Sequence, residues 1–376
     1  MDPASPPPPA PRPHRIDAVD WLRGLAVVLM IRTHLFDAWA SPAAKASAAY
    51  QPWNHLDGIP ARLFLLLVGV SMAIRFEAQI ASHADRATIV RGVVRRGLQI
   101  LGMAYLFRLQ EYVLGGFGAH WSEIFRVDIL NCIGASMIVI APLVAPRAGR
   151  RQIAATLLAA GIVVALGSIV GPARIPGPLP RALTAYVGGA TAMNWFPLFP
   201  WAAWPLVGVA LGHHWARPTR RLGGHARAFV ITGIAGAALM GAVILVRRID
   251  PQVIRYPSSF VQQMGPGTFL HQLGLIGVLA LLAFVASRQT SRFSFSMMRQ
   301  LGRTSLLVYW IHVELCYGLL FRRLHHRLSL PEATISFVLM TGAMLLISVL
   351  VTKYWRGWPH RAPAAAGISR VSESKP

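Results

Sequence analysis

Apolar segments of about 20 residues recur along this chain, and short basic loops separate them. Of its 376 residues, 54% are apolar and 14% are charged, whereas a soluble globular protein carries about 25% charge. A helix that crosses a bilayer needs about 20 largely apolar residues. The sequence therefore predicts an all-α, polytopic membrane helix bundle. It excludes a disordered chain, a disulfide scaffold and most soluble enzymes.

Ten segments are long and apolar enough to be predicted as membrane-spanning helices. They lie near residues 19–40, 60–78, 93–110, 128–146, 152–171, 198–215, 227–246, 268–287, 302–321 and 333–353. The segment near 198–215 is the least regular, because Pro200 and Pro205 interrupt it. Membrane helices tolerate proline where neighbouring groups satisfy the freed carbonyls. The lipid bilayer is therefore the first expected partner.

Lysine and arginine are distributed unevenly between alternate loops. The chain carries 37 of them against 14 acidic residues, which gives a net charge of +23. The loops of one side, with both tails, hold about twice as many as the loops of the other side, and such an excess marks the cytoplasmic side. We therefore expect both termini in the cytoplasm and a multi-pass protein of the plasma membrane, the inner membrane in a bacterium. Because topology explains the charge, no nucleic acid partner is expected.

One membrane domain is expected to occupy almost the whole chain, residues 15–355. The proline-rich residues 1–14 predict a disordered cytoplasmic tail, and residues 356–376 predict a second, basic one. The spacing of cysteine and histidine predicts neither a disulfide framework nor a metal site. The sequence contains no glycine-rich phosphate loop and no serine nucleophile motif.

Polar residues in the first apolar segment are the first candidates for chemistry. Residues 38–40 resemble a signal cleavage site, but Arg32, His34 and Asp37 interrupt the apolar stretch, so a retained first helix is expected. His34 and Asp37 are three residues apart and therefore share a helical face. A carboxylate beside an imidazole orients the ring and raises its basicity, which predicts His34 as a general base and Asp37 as its partner. The alternative is a hydrogen bond that only packs two helices together.

Basic residues near the cytoplasmic side form a second candidate site. Arg91 and Arg95 are four residues apart on one face where the third helix enters the membrane, and Arg96 follows directly. Guanidinium groups in this arrangement suit a diphosphate and a ribose phosphate. The alternative is the ordinary excess of positive charge on this side. Asp20 and Arg23, three residues apart, predict an intrahelical ion pair at the end of the first helix.

Two further groups of polar residues are candidates for a substrate pocket. Asp128 and Asn131 share a face at the outer start of the fourth helix, although capping or an ion pair with Arg126 explains Asp128 equally well. His312 is expected about 15 Å along its helix from the inner surface, close to the middle of the bilayer, and Glu314 follows it. Ionisable groups at this depth are costly, so they usually face a cavity or a partner.

Five segments carry a resemblance to a known family. They are RIDAVDWLRGLAVVLMIRTH at 15–34, LFLLLVG at 63–69, VDILNCIG at 127–134, FPLFPW at 196–201 and LGRTSLLVYWIH at 301–312. Together they resemble bacterial relatives of the heparan-α-glucosaminide N-acetyltransferase catalytic domain. More distantly they are similar to the acyltransferase-3 group. The resemblance spans almost the whole chain.

The resemblance implies the transfer of an acyl group, commonly acetyl from acetyl-CoA, to a glycan or another small acceptor. Acyl-CoA would enter from the cytoplasm, the acceptor would lie outside, and no metal would be needed. A histidine in the first helix is taken as catalytic in the acyltransferase-3 group, and it corresponds to His34. An R-x-x-x-R element of that group corresponds to Arg91 and Arg95. Relatives of this type are often dimers, so a homodimer is one expectation.

The heparan acetyltransferase itself suggests a second candidate histidine. Its essential histidine lies just before a Trp-Asn pair, and here that pair is at 53–54 with Tyr50 at about the histidine's position. The nearby histidine is His55. The resemblance therefore leaves His34 and His55 as candidates, and His34 is the preferred one.

A secondary transporter or flippase is the alternative to an enzyme. In that case the intramembrane acidic residues and histidines would relay protons or bind the transported substrate. The residues concerned are His34, Asp37, Asp128, His312 and Glu314.

Overall fold

The structure is a computed structural model that describes residues 16–118, 120–144, 150–170, 181–188, 195–216, 224–253, 265–290 and 295–354. Within these ranges the chain is helical and contains no strand. The helices are α1 (Asp17–Trp39), α2 (Pro42–Ala46), α3 (Ile59–Ala81), α4 (Arg86–Leu114), α5 (Ile129–Val144), α6 (Arg150–Val170), α7 (Arg181–Val187), α8 (Leu198–Trp201), α9 (Ala203–Ala216), α10 (Gly224–Ile249), α11 (Pro266–Thr290), α12 (Met297–Arg303), α13 (Ser305–Tyr317) and α14 (Leu330–Tyr354).

The all-helical prediction is confirmed, and each of the ten predicted segments overlaps a helix. Two of the segments are each divided into two helices, α8 with α9 and α12 with α13. Four helices, α3, α10, α11 and α14, are long and apolar enough to cross a membrane. Charged residues within α1 and α4 keep those two helices from meeting the same criterion. Ten spans and cytoplasmic termini therefore stay predictions, and the expected tails 1–14 and 356–376 lie outside the described residues.

Helix α1 lies at the centre of the bundle and packs against α3, α11, α12, α13 and α14. Asp17 and Asp20 lie in its first turn, where carboxylates stabilise the positive end of the helix dipole. Leu22, Ala26 and Leu35 are fully buried along its length. A side chain on α1 is therefore enclosed by other helices unless a cavity opens beside it.

The N-terminal half of α1 packs closely against α12. A Cβ atom at Gly24 would lie 1.9 Å from the backbone oxygen of Met298, and one at Gly302 would lie 2.1 Å from that of Asp20. Only glycine permits two helix backbones to approach this closely. Arg299 also reaches Asp17 across the same contact, at 3.1 Å.

The C-terminal end of α1 is fixed to the end of α13 and the loop that follows. Trp39 donates its indole N–H to the backbone oxygen of Cys316 at 2.9 Å. Ala40 forms an isolated parallel bridge with Leu328. Because α1 is held to α12 at one end and to α13 at the other, α13 lies alongside the C-terminal part of α1, where His34 faces His312.

Candidate active site

Two neighbouring cavities lie beside α1. The larger, called here the outer cavity, has a volume of about 1330 Å³. The smaller, called the inner cavity, has a volume of about 280 Å³. Four residues, Met30, Phe64, Ile129 and Tyr309, line both cavities and form the partition between them. Only these side chains therefore lie between a molecule in one cavity and a molecule in the other.

His34 lines the outer cavity and contacts a second histidine. Its Nδ1 lies 2.9 Å from the Nε2 of His312, and the two rings are stacked nearly parallel. The Nδ1 of His312 lies 2.6 Å from the backbone oxygen of Val308, one helical turn earlier. His312 is completely buried. The structure therefore places His34 at the wall of a cavity, as a general base requires, with His312 behind it.

Asp37 does not orient His34, which corrects the expected pairing. Its carboxylate accepts a hydrogen bond from the Tyr317 hydroxyl at 2.9 Å and lies 3.6 Å from Lys45. The edge of the Tyr317 ring contacts His34, with ring centroids 5.7 Å apart. Asp37 thus lines the same cavity but acts on the histidine only through Tyr317.

Asp128 lies in the outer cavity and is paired with an arginine of α4. Arg108 donates to Asp128, and it also donates to Glu111 at 2.6 Å. The carboxylate of Asp128 also accepts the backbone N–H of Ile129, the first residue of α5, at 2.7 Å. Arg126, the alternative ion-pair partner, instead lies 2.9 Å from Glu123.

Asn131 is completely buried and does not line the outer cavity. Its amide donates to the Tyr186 hydroxyl at 3.1 Å, and its oxygen accepts the backbone N–H of Asp128 at 3.2 Å. Asn131 therefore supports Asp128 from behind.

The loop between α2 and α3 closes one side of the outer cavity through a partly buried carboxylate. Asp57 accepts hydrogen bonds from Arg32, from Thr33 at 3.3 Å and from Tyr50 at 3.3 Å. Burial raises the pKa of Asp57 above its usual range, and the Arg32 guanidinium opposes that rise. Burial also raises the pKa of Tyr50 to about 12. His55 belongs to this loop, but its side chain lies outside the described residues.

The inner cavity is mostly apolar and carries arginines from three helices, Arg23, Arg75 and Arg96. Arg23 lies 3.0 Å from Asp20, so the expected ion pair is confirmed, and it also donates to the hydroxyl of Ser71. Of the three arginines predicted as a phosphate site, only Arg96 lines the cavity. Arg91 and Arg95 are exposed on α4 and line neither cavity.

Glu314 also lies away from both cavities. It contacts Gln110 of α4, which accepts the indole N–H of Trp310 at 3.0 Å. Within the part of the chain that the structure describes, no group of three or more histidine, cysteine or acidic residues is placed to hold a metal ion.

Several residues that line the cavities were not predicted from the sequence. Arg62 and Arg108 each lie within a predicted membrane-spanning segment and line the outer cavity, so the cost of an intramembrane charge was the signal that could have found them. Arg75 offered the same signal for the inner cavity. Tyr309 and Tyr317 offered none, because tyrosine is common in membrane helices.

These features define a class: a helical, multi-pass membrane protein with a histidine at a polar cavity and arginines at a smaller apolar one. The family model "Heparan-alpha-glucosaminide N-acetyltransferase, catalytic" matches residues 15–246, more than half of the chain. The chain belongs to this family, which makes it a transferase of the membrane acetyltransferase type. No curated protein matches the chain closely enough to count as a relative. The matched region includes His34 and ends before His312.

Proposed function

We propose that this protein transfers an acyl group, most simply acetyl, from acyl-CoA to a polar acceptor such as a glycan on the far side of the plasma membrane. One observation carries the proposal: His34 lines a large cavity that eight charged side chains also line, and a four-residue partition separates that cavity from a smaller one bordered by arginines. Family membership supports acetyl-CoA as the donor. The excess of positive charge on one side supports cytoplasmic termini and a cytoplasmic donor.

The inner cavity fits the narrow part of the donor. Its volume of about 280 Å³ lies below the roughly 300–1,000 Å³ of sites that enclose a drug-sized ligand. The pantetheine arm is thin and largely apolar, so it suits this space, while the nucleotide stays at the cytoplasmic mouth. Arg75 and Arg96 are exposed at that mouth and offer charge-assisted hydrogen bonds to phosphate.

The outer cavity suits a polar acceptor that carries hydroxyl or amine groups. Among its described lining residues, the basic side chains are Lys45, Arg62, Arg108 and Arg126, and the acidic ones are Asp37, Asp57, Glu111 and Asp128. Because the two signs balance, the lining does not favour a strongly anionic acceptor over a neutral one. Aromatic rings of the same lining, such as Trp195 and Trp201, offer flat apolar surfaces to a sugar.

In the proposed step, the Nε2 of His34 removes a proton from the acceptor's hydroxyl or amine. The acceptor oxygen or nitrogen then bonds to the thioester carbonyl carbon, and the carbon–sulfur bond breaks. The proton returns from His34 to the departing thiolate, which leaves as CoA. General-base assistance of this kind contributes about 10²- to 10⁴-fold in rate.

Tyr309 is the residue we propose for the developing negative charge on the carbonyl oxygen. It lines both cavities, so it borders the place where donor and acceptor meet. Among the described residues, its hydroxyl has no hydrogen-bond partner, which leaves the O–H free to donate to a substrate. Donors that face the site of developing charge are a common source of rate enhancement.

The test is a transfer assay on the purified, detergent-solubilised protein with radiolabelled acetyl-CoA and a panel of amino sugars and neutral glycans. We expect His34→Gln to lower kcat by about 10²-fold or more, with acetyl-CoA binding unchanged. The matched control is His214→Gln, because His214 is exposed on α9 and lines neither cavity; it should keep wild-type activity.

Two results would reject the enzyme proposal. One is wild-type protein that neither binds acetyl-CoA nor transfers its acetyl group to any acceptor. The other is a His34→Gln variant that keeps full activity. Uptake of an acceptor glycan into proteoliposomes without acetylation would instead support the transporter alternative.

A further inference from the structure

We infer that His312 is a positioning residue that holds His34 in the tautomer whose Nε2 lone pair faces the outer cavity. The expected effect on kcat rests on the proposed function, whereas the predicted tautomer of His34 does not depend on it. It follows from two hydrogen bonds whose directions are fixed by one backbone carbonyl.

The direction of the hydrogen bonds can be worked out from the buried end. The backbone oxygen of Val308 can only accept, so the Nδ1 of His312, 2.6 Å away, must carry a proton and donate it. In a neutral imidazole the other nitrogen is then an acceptor. The Nδ1 of His34, 2.9 Å from the Nε2 of His312, must therefore be the donor. In a neutral His34, this leaves the Nε2 unprotonated.

The neutral state of His312 follows from its location. Its side chain is completely buried between α1 and α13, and its ring packs against Tyr309 and His34 with no carboxylate in contact among the described residues. A charged imidazole without a counter-charge in such a place is costly. A doubly protonated His312 would also donate to His34, which would leave the wrong nitrogen of His34 unprotonated.

This arrangement prepares His34 for accepting a proton. When the Nε2 of His34 removes a proton from the acceptor, the ring becomes positively charged, and its Nδ1–H still points at the lone pair of His312. His312 accepts a hydrogen bond from His34, and the backbone oxygen of Val308 accepts one from His312, so the series of hydrogen bonds ends on that oxygen. A carboxylate partner orients the base in a catalytic triad; here a neutral ring does so without placing a permanent charge inside the bundle.

Two substitutions at position 312 separate positioning from packing. Glutamine keeps a hydrogen-bond acceptor at a similar reach, whereas leucine fills space but offers no acceptor. We expect His312→Leu to lower kcat by about 10²-fold or more, as loss of the correct tautomer does in a catalytic triad, with the KM for acetyl-CoA nearly unchanged. His312→Gln should recover most of this loss. The stability control is His213→Gln. His213 is buried and hydrogen-bonded to Glu77, and it lines neither cavity.

Nitrogen-15 NMR of histidine-labelled protein reads the tautomer without any turnover. The His34 signals are identified by their loss in His34→Gln. Wild-type and His312→Gln protein should show a protonated Nδ1 and an unprotonated Nε2, and His312→Leu should show a mixture of tautomers.

An unprotonated Nδ1 on His34 in the wild type would overturn the inference. So would a His312→Leu variant that folds, keeps the kcat of the wild type and keeps one tautomer. A wild-type protein with no transferase activity would reject the proposed function alone, because the NMR result would still decide the role of His312.

Discussion

Arg96 borders the inner cavity, and its replacement by glutamine tests where the phosphates of the donor bind. Arg75 borders the same cavity from α3, while Arg91 and Arg95 lie on α4 away from it. All four are exposed arginines. The sequence singles out Arg91, Arg95 and Arg96, whereas the structure selects Arg75 and Arg96, so the same set of variants distinguishes the two predictions.

The expected magnitude follows from the exposure of these side chains. A hydrogen bond to a charged group contributes about 1.5–3 kcal/mol when it is sheltered from water. Solvent screening reduces the interaction of exposed charges to about 1 kcal/mol or less. Since 1.4 kcal/mol corresponds to tenfold in affinity, each of Arg75→Gln and Arg96→Gln should raise the Kd of acetyl-CoA about three- to fivefold. The double variant should approach the product of the two effects if the side chains bind separate phosphates.

Isothermal titration calorimetry of acetyl-CoA on the detergent-solubilised protein measures this effect directly. Dephospho-CoA and pantetheine serve as truncated ligands, and pantetheine should bind the wild type and the variants equally. The losses should shrink at high ionic strength, because salt screens exposed charges. At saturating donor, kcat should be unchanged, because these arginines lie on the far side of the partition from His34.

The controls decide between the two predictions. Arg91→Gln and Arg95→Gln remove the same charge from the same helix, and they should leave the Kd within about twofold if the contact is local. Equal losses for Arg91→Gln and Arg96→Gln would refute the location of the phosphate site. Unchanged binding in the Arg75 and Arg96 double variant would refute the use of the inner cavity by the donor.

Two further predictions concern the partition and the packing of α1. Tyr309→Phe removes only the hydroxyl proposed to stabilise the carbonyl oxygen, and we expect kcat to fall by about 10- to 10³-fold with acetyl-CoA affinity retained; a kcat equal to that of the wild type would exclude the role. Gly24→Ala places a Cβ 1.9 Å from the backbone oxygen of Met298, so α1 and α12 must separate, and we expect a loss of about 1–3 kcal/mol, read as a lower unfolding temperature. Gly102→Ala is the matched control, because a Cβ there meets nothing within 4 Å; a comparable loss in both variants would contradict the close-packing argument.

The helical architecture could be predicted from the sequence because it depends on local composition. Each long apolar segment forms helix, since the backbone of a segment in lipid must bond to itself. The break between α12 and α13 could not be predicted, because it lies at Thr304 inside a segment that reads as continuous. Some of the charged residues of α1 and α4, such as Arg23, Asp37 and Arg108, line the cavities, which is one reason why these helices depart from the apolar pattern.

The site was predictable one residue at a time but not as an arrangement. His34 and Asp128 could be selected because a titratable group in an apolar segment is costly. Their partners could not, since helical spacing reports only neighbours on the same helix. That is why Asp37, three residues from His34, was expected to orient the ring, whereas the actual partner is 278 residues away in sequence.

The distance in sequence between the two histidines also bears on the family match. The matched region, residues 15–246, contains His34 and ends before α13. The ring of His34 depends on that later helix, which the close contact of α1 with α12 and the bond from Trp39 to Cys316 hold in place. A truncation after residue 246 would remove Cys316, the hydrogen-bond partner of Trp39, and His312, the hydrogen-bond partner of His34. The part of the chain beyond the family match is therefore structurally required for the proposed base. A variant that loosens the packing at either end of α1 should free the ring of His34, although the substituted residue does not contact that ring.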